Sequence, residues 1–123
     1  RRYLSHPQRT YHLVAIRRRL TGGLLALLVF RRIDDATFQL LDYIGSLRYL
    51  RHSIAQARRV VASWGAQHLS AWITDGFVHL FEGSGATFHD TDVRVPSSIH
   101  TPGPSPSRLR GHWWLTAGDT DFN

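Results

Sequence analysis

The chain of 123 residues contains no cysteine, no methionine and no lysine. Without cysteine there is no disulfide, no thiol nucleophile and no thiolate metal site, and the redox state of the compartment stays open. Without lysine, all 15 Lys+Arg residues are arginine. Together with the missing methionine this reads as codon bias, so arginine at a given position is not taken as selection for bidentate contacts. Long hydrophobic runs are missing too. The apolar stretch from Leu24 to Phe30 is far shorter than the roughly 20 residues a membrane-spanning helix needs, and no leader segment is visible. Proline is scarce, and four of the five fall within or beside residues 97–110, a Pro/Ser-rich loop. The chain starts at Arg1 without an initiator methionine, as a piece of a longer protein would.

What is present fits one globular domain over 1–123: 42% hydrophobic and 20% charged residues, with enough length to bury a core. The net charge of +6 favours anionic partners, such as nucleic acid, a phosphorylated cofactor or an acidic membrane surface.

Apolar alternation marks residues 11–20 as a strand, and Gly22-Gly23 as a hairpin turn in which both glycines can take positive φ. The continuous apolar run 24–30 suits a central strand covered on both faces. Residues 36–44 make a third strand, so the three form an antiparallel meander. After Gly45 the period changes. Leu47, Leu50, Ile54, Ala57, Val61 and Trp64 recur at steps of three and four, the stripe of an amphipathic helix. Ser46 is its expected N-cap and Gly65 its expected C′ residue, while Arg48, Arg51, His52, Arg58 and Arg59 occupy the opposite face. Strand 66–74, a short helix in 75–85, strand 86–95 and a last strand in 111–119 follow. The expectation is an α+β fold: a mixed, mostly antiparallel curved sheet with one long amphipathic helix and one short one.

This order, with "RYLSHPQRTY" at 2–11 and "GDTDF" at 118–122, resembles the later two-thirds of the GNAT superfamily of N-acyltransferases. The resemblance implies acetyl-CoA or another acyl-CoA as donor, and a small-molecule amine as acceptor, such as an amino sugar of a surface polysaccharide. It also implies a cytoplasmic bacterial enzyme. The third strand, at Leu41, Asp42 and Ile44, would hold the pantetheine arm, and Gly45, Ser46, Arg48 and Arg51 the pyrophosphate. A helix start suits an anion because its N–H groups and dipole converge there. Two features depart from the family pattern. The loop has one glycine, followed by Leu47 and Tyr49 where small residues are expected, and residues 75–83 offer no tyrosine to protonate the leaving thiolate.

Asp42 is the candidate base, because a carboxylate inside "LLDYI" must either face a cleft or pair with arginine. His79, or Glu82, would stand in for the tyrosine as proton donor. Asp119 and Asp121, two apart and so on one face of a strand, and Trp113 (with Trp114 on the other face) are the acceptor-binding candidates. The same two acids can instead pair with Arg17–Arg19. His89, Asp90 and Asp92 fall short of a metal site, which needs three or four converging ligands.

Two other function classes remain open on the sequence. A basic nucleic-acid-binding domain would use the arginine face and Tyr49, but the arginines are spread along the chain and no recognition motif occurs. A GNAT-like fold that has lost catalysis and serves as an interaction module is the other. A sheet edge left open by a partial fold also permits a homodimer.

Overall fold

A computed structural model describes residues 10–83, 85–91, 108 and 116. Among the described residues four strands form one sheet in the order β1-β2-β3-β4: β1 (Tyr11–Arg17), β2 (Leu24–Arg32), β3 (Thr37–Gly45) and β4 (His68–Ala71). The first three are an antiparallel meander, and β4 joins parallel to β3. Helix α1 (Leu50–Ser63) makes the crossover between β3 and β4, preceded by a single 3₁₀ turn at Leu47–Tyr49. A 3₁₀ helix, Asp75–Phe81, follows β4. The fold is therefore α+β with a mixed, mostly antiparallel open sheet.

The helix stripe explains the main core. Leu50, Ile54, Ala57 and Val61 are buried against Val14 and Ile16 of β1, Ala26, Leu28 and Phe30 of β2, and Phe38, Leu40 and Tyr43 of β3. Leu47 and Trp64, at the two ends of the stripe, stay partly exposed. At the C-terminal end of α1, Trp64 sits with His12 and Phe38, ring centroids 5.1 to 5.4 Å apart. The helix stops in a Schellman motif. Gly65 adopts φ 90°, its N–H bonds the Ala62 carbonyl, and Ala66 N–H bonds that of Val61. The opposite sheet face carries a second small cluster, in which Val29 and Leu41 pack against Tyr11 and Trp72. There the Arg31 guanidinium donates to the Gln39 amide oxygen at 2.9 Å.

Several boundaries differ from the sequence expectation, each for a local reason. The first strand ends at Arg17, because Arg18 already belongs to the turn: its N–H bonds Gly23 O at 2.8 Å and its carbonyl accepts from Gly22 N at 2.9 Å. Only Gly22 of the two turn glycines takes positive φ. Ser46 has extended backbone but makes no side-chain cap, so the helix enters through the 3₁₀ turn. The fourth strand is held to His68–Ala71, and its approach is pinned by Gln67 and His68 N–H groups that share the Ala36 carbonyl. Residues 86–91 are not a strand; positions 92–95 lie outside the described residues.

The β2–β3 register contains one irregularity with consequences. Val29 pairs with Asp42 and Phe30 with Leu40, so Leu41 is the extra residue of a β-bulge. The bulge changes the parity of β3. Phe38 and Leu40 face α1 before it and Tyr43 after it, which turns Asp42 and Ile44 to the other face.

Candidate functional site

The ladder between β3 and β4 ends at Leu40↔Ala71, whereas β3 runs on to Gly45. Among the described residues the pairing of the two strands stops there, at the residue before the bulge, and Thr116 lies between their continuations. At the end of β3 the chain enters the 3₁₀ turn and α1, so the strand tip and the helix start are one junction. The turn is tied down from below, where the Tyr43 hydroxyl donates to the Ser46 carbonyl at 2.8 Å. Close by is Ser53, fully buried, whose hydroxyl has no hydrogen-bond partner among the described residues.

Antiparallel pairing brings a second basic element to the same end of the sheet. Ala26 pairs with both Ile16 and Gly45, so the β1–β2 hairpin lies beside the helix start. There the Arg18 guanidinium reaches the Tyr49 hydroxyl at 3.5 Å, and the Arg48 guanidinium lies over the Tyr49 ring, 4.6 Å from its centroid. Tyr49 thus gathers two cations from separate elements. This convergence follows from the meander itself, since a β1–β2 turn must lie at the exit end of β3, but counting arginines along the chain conceals it.

The predicted site residues divide as follows. Ile44, Gly45, Ser46 and Arg48 lie together at the junction and are exposed. Leu41 is buried in the bulge, and its carbonyl accepts the Thr116 hydroxyl, so it presents little to a ligand. Thr116 also bridges to Ile73, which places it, buried, between the continuations of β3 and β4; the sequence puts it in the last expected strand without a role. Arg51 is exposed but turned toward the loop after the 3₁₀ helix, where a β-carbon on Gly83 would collide with its guanidinium. Asp42 is half-buried on the face away from α1 and already engaged in a polar contact. The helix carrying exposed His79 packs through Phe81 into the core on the α1 side. Asp42 and His79 thus belong to opposite sides of the sheet. Trp113, Asp119 and Asp121 lie outside the described residues. Among the described residues no group of three His, Asp or Glu side chains is arranged for a metal.

Gly45 has a packing role. A β-carbon there would stand 2.9 Å from Leu25 O and 3.0 Å from Ala26 Cβ, so glycine lets β3 close on β2. Its φ is not in the left-handed region.

Burial pushes the Tyr43 phenol pKa up, with the nearby Ser53 hydroxyl acting in the opposite sense. The fold thus favours neutral Tyr43. This contribution is whole below the ordinary tyrosine pKa of about 10 and is lost as pH rises through the raised value. With no lysine or cysteine in the chain, tyrosines are the only side chains that ionise in this range. Tyr43→Phe is therefore expected to flatten the fall of the melting temperature between about pH 9 and 11. A melting curve series across that range checks it; an unchanged slope would remove Tyr43 from the account.

No family model, curated protein or solved structure matches the chain significantly. No helix among the described residues is long and apolar enough to cross a membrane.

Proposed function

We propose that the chain binds an acyl-CoA at the β3–α1 junction and transfers the acyl group to an amine. The observation that carries this reading is that β3 runs on past its last pair with β4 to an exposed tip at Ile44 and Gly45, which leads directly to a helix start flanked by Arg48. An extended arm of amides can run along the exposed tip of β3 at Ile44, and a pyrophosphate can meet the N–H groups of the turn and the arginine. The junction meets these needs through Ser46, Arg48 and Arg18, with Gly45 committed to strand packing.

Bound there, an acyl-CoA supplies an activated carbonyl. Asp42 is the group on β3 able to take the proton of the attacking amine as the C–N bond forms and the C–S bond breaks. The nitrogen and the sulfur are bonded to one carbon in the intermediate, so His79, on the opposite side of the sheet from Asp42, has no part in the step, and the departing thiolate takes its proton from water or from the protonated Asp42. The absence of a tyrosine in Asp75–Phe81 favours a second reading, an anion-binding module of the same fold without turnover.

Both readings require binding, and activity separates them. Acetyl-CoA is expected to raise the melting temperature of the full chain, and Arg48→Ala with Arg18→Ala to weaken binding by about tenfold or more, as loss of two charge-assisted contacts would. Equal stabilisation of the wild type and the double variant would defeat the proposal. Release of free thiol in the presence of amines then reads turnover, and Asp42→Asn is expected to abolish it while leaving binding intact.

A further inference from the structure

The β1–β2 hairpin has a feature that acyl transfer does not use. Its sequence is Arg17-Arg18-Arg19-Leu20-Thr21-Gly22-Gly23, and Leu20 at the tip is 96% exposed, with Leu24 at the return 59% exposed. Isolated exposed leucines are ordinary on protein surfaces. Here, however, they sit among consecutive arginines, and Ile44 and Leu47 at the same end of the sheet are 53% and 37% exposed. Half of the exposed large apolar side chains among the described residues thus share one end with the densest run of positive charge.

The base of the loop is tied by hydrogen bonds. Arg18 and Gly23 close the turn, Gly22 takes φ 67°, and the Arg17 guanidinium donates to the Gly22 carbonyl at 3.1 Å. Arg17 braces the loop, Arg18 is directed toward Tyr49, and Arg19 is exposed. At the opposite end of the sheet Asp34 and Asp35 share the β2–β3 turn with Arg31 and Arg32, and the Arg32 guanidinium lies 3.2 Å from the Asp35 carboxylate, so charge there is balanced locally. The hairpin holds three arginines and no acidic residue, and a negative surface attracts that end.

We propose that this end of the molecule docks on an anionic lipid surface, with Leu20 entering the headgroup layer and the arginines on lipid phosphates. Nucleic acid would satisfy the guanidinium groups, but a leucine finds apolar surroundings there only by wedging between bases, at the cost of unstacking them. A lipid surface offers phosphates and an acyl boundary within one side-chain length of each other, which matches basic and apolar groups interleaved on one loop. Tyr49, gathered between Arg18 and Arg48, adds an amphipathic ring of the kind that settles at a membrane interface. The inference shares Arg18 and the neighbouring junction with the acyl-CoA reading, but Leu20 belongs to the hairpin tip alone and its substitution tests lipid docking separately.

Co-sedimentation of the full chain with vesicles tests it. Binding is expected to phosphatidylcholine vesicles containing about 30 mol% phosphatidylglycerol and not to phosphatidylcholine alone. Raising salt from about 0.05 M to about 0.5 M should weaken it steeply. Arg18→Ala with Arg19→Ala should lower partitioning by about 25-fold, at about fivefold per arginine. Leu20→Asp should lower it at least about tenfold by removing the inserted group. Because Leu20 is solvent-exposed, that variant keeps its melting temperature, and Leu20→Ser, which adds no charge beside the arginines, lowers vesicle partitioning while keeping the affinity for a single-stranded oligonucleotide probe. Failure to bind anionic vesicles at low salt would overturn the proposal. So would a Leu20→Asp variant that partitions like the wild type, or an oligonucleotide that displaces the vesicles at equal phosphate concentration.

Discussion

Replacing Phe30 with alanine is expected to lower the stability of this domain by about 3–5 kcal/mol, a large share of the roughly 5–15 kcal/mol typical of a folded domain. Phe30 is fully buried in β2, an interior strand of the sheet, and pairs with His12 on one side and Leu40 on the other. Its ring lies in the layer shared with Leu28, Leu40 and the buried stripe of α1. Those neighbours belong to a hydrogen-bonded sheet and a fourteen-residue helix, so the space left by the ring cannot collapse, and both transfer and cavity terms are felt. Equilibrium urea unfolding of wild type and variant gives the difference, with an unchanged m-value showing that the loss is in stability. A change under about 1 kcal/mol would place Phe30 outside the core described above.

The second large effect is at Gly45. Gly45→Ala is expected to destabilise the chain by about 1–3 kcal/mol without any ligand present, as overpacking does. The methyl group would meet the Leu25 carbonyl and the Ala26 side chain, both in the adjoining strand, and a strand backbone has little room to yield. A glycine kept instead for backbone approach to phosphate would give the opposite result: stability unchanged in the absence of ligand and binding lost. Urea midpoints measured with and without acetyl-CoA distinguish the two.

These residues show why parts of the architecture could be read from the sequence and parts could not. The meander and helix were legible because the apolar spacing of Tyr11–Ile16, Leu24–Phe30 and Leu50–Val61 matches the periods of strand and helix. The third strand was expected over 36–44 and spans Thr37–Gly45. The Schellman end at Gly65 was legible from the glycine. The bulge at Leu41 was hidden, because "LLDYI" offers an apolar residue to either face in both registers, and only the pairing with Val29 and Phe30 decides. The helix entry was misjudged because a serine in the right place does not oblige its hydroxyl to cap. At the site, the junction itself was legible from the change of period at Gly45. Its electrostatics were not, since Tyr49 looked like an obstruction in the loop. Its ring instead receives Arg48 and its hydroxyl Arg18, contributed by an element some thirty residues earlier. The same antiparallel geometry that collects the arginines separates Asp42 from His79, a consequence of the parity change that the bulge introduces.

The central claim is that an acyl-CoA occupies the tip of β3 and the start of α1, and amide hydrogen exchange locates it most directly. With saturating acetyl-CoA, exchange is expected to slow by about tenfold or more at peptides covering Tyr43 to Arg48, with little change in β1 or in the C-terminal half of α1. Unaltered exchange across Tyr43–Arg48 while the ligand is demonstrably bound would contradict the account.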